Sequence, residues 1–209
     1  WEAAFDAPVQ PSPVDMVIAT AHLREVLPAD AILTNGAGNF TVWPSRFLQY
    51  GREARLLAPQ SGAMGYGVPA AVAAKRLDPQ RTVIAFAGDG CFLMNGQDFA
   101  TAVQYDLPVI VVVVDNGMYG TIRMHQEREY PGRVSGTALK NPDFAAYATA
   151  FGGYGERVER TEDFPAAFAR ALASGSGALL DLNISPEALT PRQTLSQMRD
   201  AALATKEKA

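Results

Sequence analysis

Apolar residues fall along this chain in two alternating textures. Residues 82–87 (Thr-Val-Ile-Ala-Phe-Ala) and 109–114 are nearly continuous apolar runs without polar alternation, the pattern of strands buried on both faces, and 178–184 reads as a further strand. Between such runs, apolar residues recur at helical spacing. Val14, Val17, Ile18, Ala21, Leu23 and Val26 predict an amphipathic helix over 14–27 that stops before Pro28. The same reading predicts helices at 43–50, 67–77, 96–105, 144–151 and 164–173, with shorter strands at 31–34 and 154–158. A glycine-bearing turn over 35–39 follows the first strand. Helix and strand alternate throughout, which predicts an α/β fold: a doubly wound parallel sheet with helices on both faces and ligands at the strands' carboxyl ends.

Composition narrows the function classes. A chain of 209 residues, 48% hydrophobic, can bury the core of one domain. Its 18 basic and 22 acidic residues give a net charge of -4 with no basic block, so nucleic acid is not an expected partner. The longest β-branched run, 109–114, is far below the roughly 20 residues that span a bilayer, so no membrane association is expected either. One cysteine, Cys91, and two histidines, His22 and His125, exclude a disulfide framework and a structural zinc site, and point to the cytoplasm. Pro8, Pro11 and Pro13 space out an opening stretch with no initiator methionine. Residues 1–13 are therefore expected to be an interdomain linker, 14–185 a ligand-binding domain, and the polar stretch 186–209 a C-terminal tail or lid.

Two of the buried strands end in similar polar loops. Gly88-Asp89-Gly90 closes one and, after the intervening residues 91–114, Asp115-Asn116-Gly117 closes the other. In a parallel sheet these loops can lie side by side. An aspartate, an asparagine oxygen and a backbone carbonyl suit a hard cation such as magnesium together with the phosphates it carries. Glycines flanking Asp89 allow close backbone approach, and a following helix N-terminus favours an anion. By itself a Gly-Asp-Gly is most often a surface turn; its position after a buried strand, matched with Asn116, favours the metal–diphosphate reading.

Gly88-Asp89-Gly90, the spacer and the asparagine-ended apolar strand resemble the signature of thiamine-diphosphate enzymes, with Asp115 in place of that signature's first asparagine. Ser61-Gly62-Ala63-Met64-Gly65-Tyr66-Gly67 and Gly38-Asn39-Phe40-Thr41-Val42-Trp43 are similar to two further segments of those enzymes. The acetolactate synthase group is resembled most closely, through Asn95-Gly96-Gln97-Asp98, Gly120-Thr121-Ile122-Arg123, Pro131-Gly132-Arg133 and Asn141-Pro142-Asp143-Phe144. The resemblance implies the thiamine-diphosphate-binding fold and the C-terminal, diphosphate-binding domain of a larger carboligase or decarboxylase acting on 2-keto acids. It implies magnesium on Asp89, Asn116 and the Met118 carbonyl. Cofactor contacts would come from Gly38, Asn39, Phe40, Gly62, Met64, Gly88, Asp89, Gly90, Cys91, Asn116, Met118, Tyr119 and Gly120. The Gly62 carbonyl would meet the aminopyrimidine, and Met64 would wedge between the cofactor's rings. Ile122 and His125 would border the substrate. His125 stands where biosynthetic acetolactate synthases usually carry a tryptophan, and Ile122 where pyruvate-decarboxylase-like members carry a glutamate.

No catalytic residue is expected in this chain. The glutamate that activates the pyrimidine would come from a pyrimidine-binding domain, across the interface of a homo-oligomer, a dimer or tetramer. A further domain could carry FAD. Rival readings are other thiamine-diphosphate lyases (benzaldehyde lyase-, oxalyl-CoA decarboxylase- or sulfoacetaldehyde acetyltransferase-like) and a nicotinamide-dinucleotide oxidoreductase. The last rests on Gly65-Tyr-Gly-Val-Pro-Ala70, which lacks the immediate strand-to-helix turn the dinucleotide fingerprint needs.

Overall fold

A computed structural model describes residues 12–206; positions 1–11, most of the expected linker, and 207–209 lie outside the described residues. Four of the expected strands are β1 (Ile32–Asn35), β3 (Val83–Gly88), β4 (Val109–Asp115) and β6 (Ala178–Asn183). With the edge strands β2 (Arg55–Leu57) and β5 (Tyr154–Val158) they form one six-stranded sheet in the order β2-β1-β3-β4-β6-β5. Every neighbouring pair is parallel. All of β3 and β4 is buried, as strands covered on both faces must be. β2 escaped the sequence reading because it is a short edge strand, largely exposed, with no apolar run to announce it.

Successive strand residues point to opposite faces, and each face takes its own helices. Leu33, Ile84, Phe86, Ile110, Val112 and Leu180 pack with α1 (Met16–Val26), α2 (Val42–Phe47) and α8 (Phe164–Ala173). Val83, Ala85, Val109, Val111 and Leu179 pack on the other face with α3 (Gly67–Leu77), α4 (Asp89–Asn95), α5 (Phe99–Gln104) and α7 (Phe144–Ala150). The doubly wound parallel sheet expected from the sequence is thus present. α1 starts where Asp15 accepts a 2.7 Å hydrogen bond from the Val17 N–H, a side-chain N-cap. Among the described residues, no helix is long and apolar enough to cross a membrane.

The helix predicted over 96–105 requires correction. It begins at Asp89 as α4, passes through a 3-10 turn at Gly96–Asp98 and continues as α5. Sequence reading takes Gly88 and Gly90 as turn residues, whereas the fold ends β3 on an extended Gly88 (φ -71°, ψ 160°) and places Gly90 inside the helix. Glycine costs about 1 kcal/mol in a helix, but a Cβ on Gly90 would lie 2.5 Å from the Tyr119 ring. Close packing outweighs helix propensity there.

The expected tail or lid contains α9 (Leu195–Lys206), docked on α6 (Gly120–Glu129) through Leu195 and Met198, which pack with Met118, Met124 and Leu189. A buried carboxylate fastens the pair. Glu127 is 1% exposed and is gripped by Arg123, by Arg199 of α9 at 2.9 Å and by the Gly132 N–H at 2.8 Å. Burial alone would push its carboxyl up, but Arg199, the Gly132 N–H and Arg123 together hold it down at about 2.

Two measurements test this packing. A Cβ at Gly155 of β5 would fall 2.0 Å from the Ala145 carbonyl oxygen of α7, so Gly155→Ala is expected to lose about 1–3 kcal/mol in urea unfolding; an unchanged midpoint would show that α7 is not seated on β5. Glu127→Gln is expected to cost roughly 2 kcal/mol at pH 7. Because the folded carboxyl lies at about 2, below its ordinary 4.5, that stability is present above pH 4.5 and fades as pH falls toward 2. Unfolding curves of parent and variant should therefore converge at low pH, and a pH-independent gap would refute the ion-pair account.

Candidate functional site

All the strands are parallel, so β1, β3, β4 and β6 deliver their carboxyl ends to one edge of the sheet. The strand order reverses at β1, which has β2 on one side and β3 on the other. Such a switch point opens a crevice, and a cavity of about 220 Å³ occupies it. Every residue that the sequence assigns to cofactor binding lines this cavity. Gly38, Asn39 and Phe40 come from the loop after β1, Gly62 and Met64 from the loop before α3, and the segment from Gly88 to Cys91 from the β3–α4 junction. Asn116 and the run from Met118 to Gly120 come from the β4–α6 connection.

Ile122 lines the cavity as well. His125, expected beside it, does not: it lies one turn further along α6 on an exposed face. The sequence reading missed Trp43, Val114, Ile184 and Leu189 as lining residues. Buried apolar side chains carry no chemical signature that separates lining from ordinary core.

Asp89 is the chemical centre of the cavity. It is 3% exposed. Its Oδ1 accepts from the Gly90 N–H at 2.8 Å, and its Oδ2 accepts from the Met118 N–H at 3.1 Å and the Asn141 amide at 2.8 Å. The same Met118 N–H lies 3.2 Å from Asn116 Oδ1, so a carboxylate and an amide oxygen from adjacent strands converge on one donor. Gly117 makes this return possible with φ 70°, a left-handed conformation natural to glycine.

Met118 also bridges Ala138 in antiparallel fashion, with Tyr119 N–H bonded to Thr137 O and Leu139 N–H to Gly117 O. In that pattern the bridging residue's own N–H and C=O face away from the partner segment. The Met118 carbonyl is thereby turned to the side on which its N–H meets Asp89.

Burial pushes the Asp89 carboxyl up to about 6, against the lowering effect of the Asn141 and Gly90 hydrogen bonds, and Asp115 raises it further. No cationic side chain relieves it among the described residues. Nor do three His, Cys, Asp or Glu side chains cluster there to hold a metal. The donor set is one carboxylate with amide and carbonyl oxygens, which suits a hard, oxygen-seeking dication and not a soft one. Beside it, α6 begins at Gly120 with no side-chain cap, leaving backbone donors and a positive helix end toward the cavity.

Other site features are structural. Cys91 accepts from the Gly65 N–H at 3.1 Å, burial pushes its thiol up, and its sulfur would lie 2.2 Å from a Cβ on Gly36. It packs the strand exits and has no means of becoming a thiolate nucleophile. Thr121 accepts from the Asn39 N–H at 2.9 Å and donates to its Oδ1 at 3.0 Å, tying the β1 loop to α6. Away from Asp89 the walls are Phe40, Trp43, Met64, Ile184 and Leu189. The cavity thus has a polar end for a cation-bound anion and a water-excluding apolar body. It leaves out Gly65 and Gly67, on which the dinucleotide alternative depends.

This chain matches the family model described as "Thiamine pyrophosphate enzyme, C-terminal TPP binding domain" over residues 36–182. It is 34% identical over 177 residues to the acetolactate synthase isozyme 2 large subunit of Escherichia coli (strain K12), covering 82% of this chain and 32% of that protein. It is 35% identical over 196 residues to the putative thiamine pyrophosphate-containing protein YdaP of Bacillus subtilis (strain 168), covering 91% and 32%. The acetolactate synthase large subunit of Parasynechococcus marenigrum (strain WH8102) is 33% identical over 191 residues, covering 88% and 30%. The chain spans about a third of the length of these curated relatives. With the matched stretch running from the β1 exit into β6 and so including Asp89, Asn116 and Met118 of the cavity, the chain belongs to the thiamine pyrophosphate enzymes, as their C-terminal TPP binding domain.

Proposed function

We propose that this chain holds the diphosphate of thiamine diphosphate through Mg²⁺, and that it serves an acetolactate synthase-like carboligase or decarboxylase acting on 2-keto acids. The observation that carries the proposal is the convergence of Asp89 Oδ2 and Asn116 Oδ1 on the Met118 N–H at the ends of two adjacent strands. Asp89, Asn116 and the Met118 carbonyl would hold the cation. The uncapped start of α6 would receive phosphate oxygens, with Gly38 and Asn39 lining the cavity beside them. Gly62 and Met64 would receive the rings, and the packing of Met64 against the core supports its role as the wedge.

When bound, thiamine diphosphate supplies the electron sink for breaking or making a carbon–carbon bond beside a carbonyl. The chain's own residues do the rest by binding and exclusion. Phe40, Trp43, Ile184 and Leu189 keep water from the apolar body of the cavity. Ile122 borders its mouth and offers no proton there. The titratable side chains lining the cavity are Asp89, Cys91 and Tyr119. A pyrimidine-binding domain of the same enzyme, within a homo-oligomer, would supply the activating glutamate. A cytoplasmic location fits the single buried, unpaired cysteine.

Calorimetric titration of the chain with thiamine diphosphate in Mg²⁺ is expected to show binding that disappears with a chelator and in Asp89→Ala. Binding indifferent to both would overturn the metal assignment. A second outcome concerns turnover: pyruvate supplied to this chain alone, with cofactor and Mg²⁺, is expected to give no carbon dioxide and no acetolactate. Measurable product would mean that a proton-transfer group resides in this domain after all.

A further inference from the structure

Asn141 stands outside the loops that form the cavity, yet its side chain reaches into their centre. Its single amide nitrogen donates to Asp89 Oδ2 at 2.8 Å and to Asp115 Oδ1 at 2.7 Å. Both hydrogens of one amide are therefore committed to two carboxylates, one just after β3 and one at the end of β4. The orientation of this amide is forced: rotated by half a turn, it would aim its oxygen at two anionic oxygens. Its oxygen is buried without a hydrogen-bond partner. A buried amide that leaves its acceptor unsatisfied while serving two acids costs stability, and such costs concentrate at functional sites.

Asp115 explains why the bridge is needed. The carboxyls of Asp89 and Asp115 are direct neighbours at the buried ends of adjacent strands, where Asp115 raises the Asp89 carboxyl; without a donor bonded to both, like charges at that range repel strongly where water is excluded. The other Asp115 oxygen is 3.4 Å from Arg157, which bonds Asp181 on β6 at 2.6 Å. Asp115 is thus held from behind by a guanidinium and in front by Asn141. Asp143, two residues after Asn141, caps α7 by accepting from the Ala146 N–H at 2.9 Å, so the bridging amide stands just ahead of a fixed helix start.

We infer that Asn141 is a positioning residue: it fixes the Asp89 carboxylate for the cation by bridging it to Asp115 and screening the two acids from each other. This rests on the reading of Asp89 as a ligand to Mg²⁺. Groups that hydrogen-bond to metal ligands typically change metal affinity by 10–100-fold when removed.

The test has two arms, both on the full 209-residue chain. The first is ligand-free: the Asn141 side-chain amide resonances, assigned by loss in Asn141→Ala, should shift in Asp89→Asn and also in Asp115→Asn. Resonances indifferent to either change overturn the bridge. The second arm measures, by calorimetry with thiamine diphosphate, the Mg²⁺ concentration at half-saturation. Asn141→Ala should raise it about tenfold in the parent background and clearly less with Asp115→Asn present, because the repulsion being screened is then gone. Unfolding curves establish that each variant is folded at the assay temperature. An equal rise in both backgrounds, or a lowered stability with half-saturation unchanged, makes Asn141 merely structural and overturns its positioning role. If the parent binds thiamine diphosphate without any Mg²⁺ dependence, the reading of the site fails and the positioning role falls with it, whereas normal Mg²⁺ dependence unaltered by Asn141→Ala sinks the positioning role alone.

Discussion

A carboxylate with 3% exposure at the end of a strand buried on both faces is the constraint around which this domain is arranged. Water cannot solvate Asp89, and burial raises its carboxyl to about 6. A protein that wanted only a stable core would place an apolar residue there. What surrounds Asp89 instead is a set of donors from distant parts of the chain: the Gly90 and Met118 N–H groups and the Asn141 amide. They hold the carboxylate's geometry but leave its charge uncancelled. Hydrogen bonds fix an anion in place, whereas neutralising it takes a proton or a bound cation. The fold therefore spends stability on a preorganised negative point beside an uncapped helix N-terminus, and those two features together describe a seat for a metal-bound anion.

Parallel topology makes this possible. An antiparallel sheet would send adjacent strand ends to opposite edges, and the Gly88 and Asp115 exits could not meet. Here the register pairs Gly88 with Val114, so Asp89 and Asp115 leave the sheet at nearly the same level. Close approach of the connections then depends on missing side chains. A Cβ on Gly88 would strike the Phe40 ring at 2.8 Å, and one on Gly120 would strike Leu189 at 2.7 Å. The glycines around the cavity keep its walls within reach of one another, which a purely conformational account of them would overlook.

Most of the sheet and most of the site were legible in the sequence, for one reason. β3 and β4, buried on both faces, are apolar along their length, so the polar residues at their carboxyl ends stand out against a uniform background. Asp89, Asp115 and Asn116 stood out in this way. What stayed hidden were features set by tertiary context. β2 is too short and exposed for any pattern. α4 starts on a glycine-flanked aspartate because the Tyr119 ring needs the space beside Gly90. His125 looked chemically apt but sits a helical turn beyond the cavity, a displacement along α6 that needs the helix axis to be known. Asn141 was visible only as part of the Asn-Pro-Asp-Phe motif; nothing local says that its amide reaches back 52 residues to Asp89.

The departure at position 115 ties these threads together. The signature that this chain resembles has an asparagine there, neutral and able to donate; an aspartate brings a second negative charge to a place already short of solvent. The change is tolerable because the surrounding polar chain extends to match it. From the cavity outward run Asp89, Asn141, Asp115, Arg157 and Asp181, acid alternating with donor at every step. Arg157 lies on the edge strand β5 and is partly exposed, so the positive charge that balances Asp115 and Asp181 keeps some contact with water while both acids stay buried. Replacing asparagine with aspartate at the strand end thus calls for a cation at the sheet edge and a neutral donor between the acids. Both are present, and they couple the proposed metal position to the β5–β6 pair, a part of the sheet that touches no ligand itself.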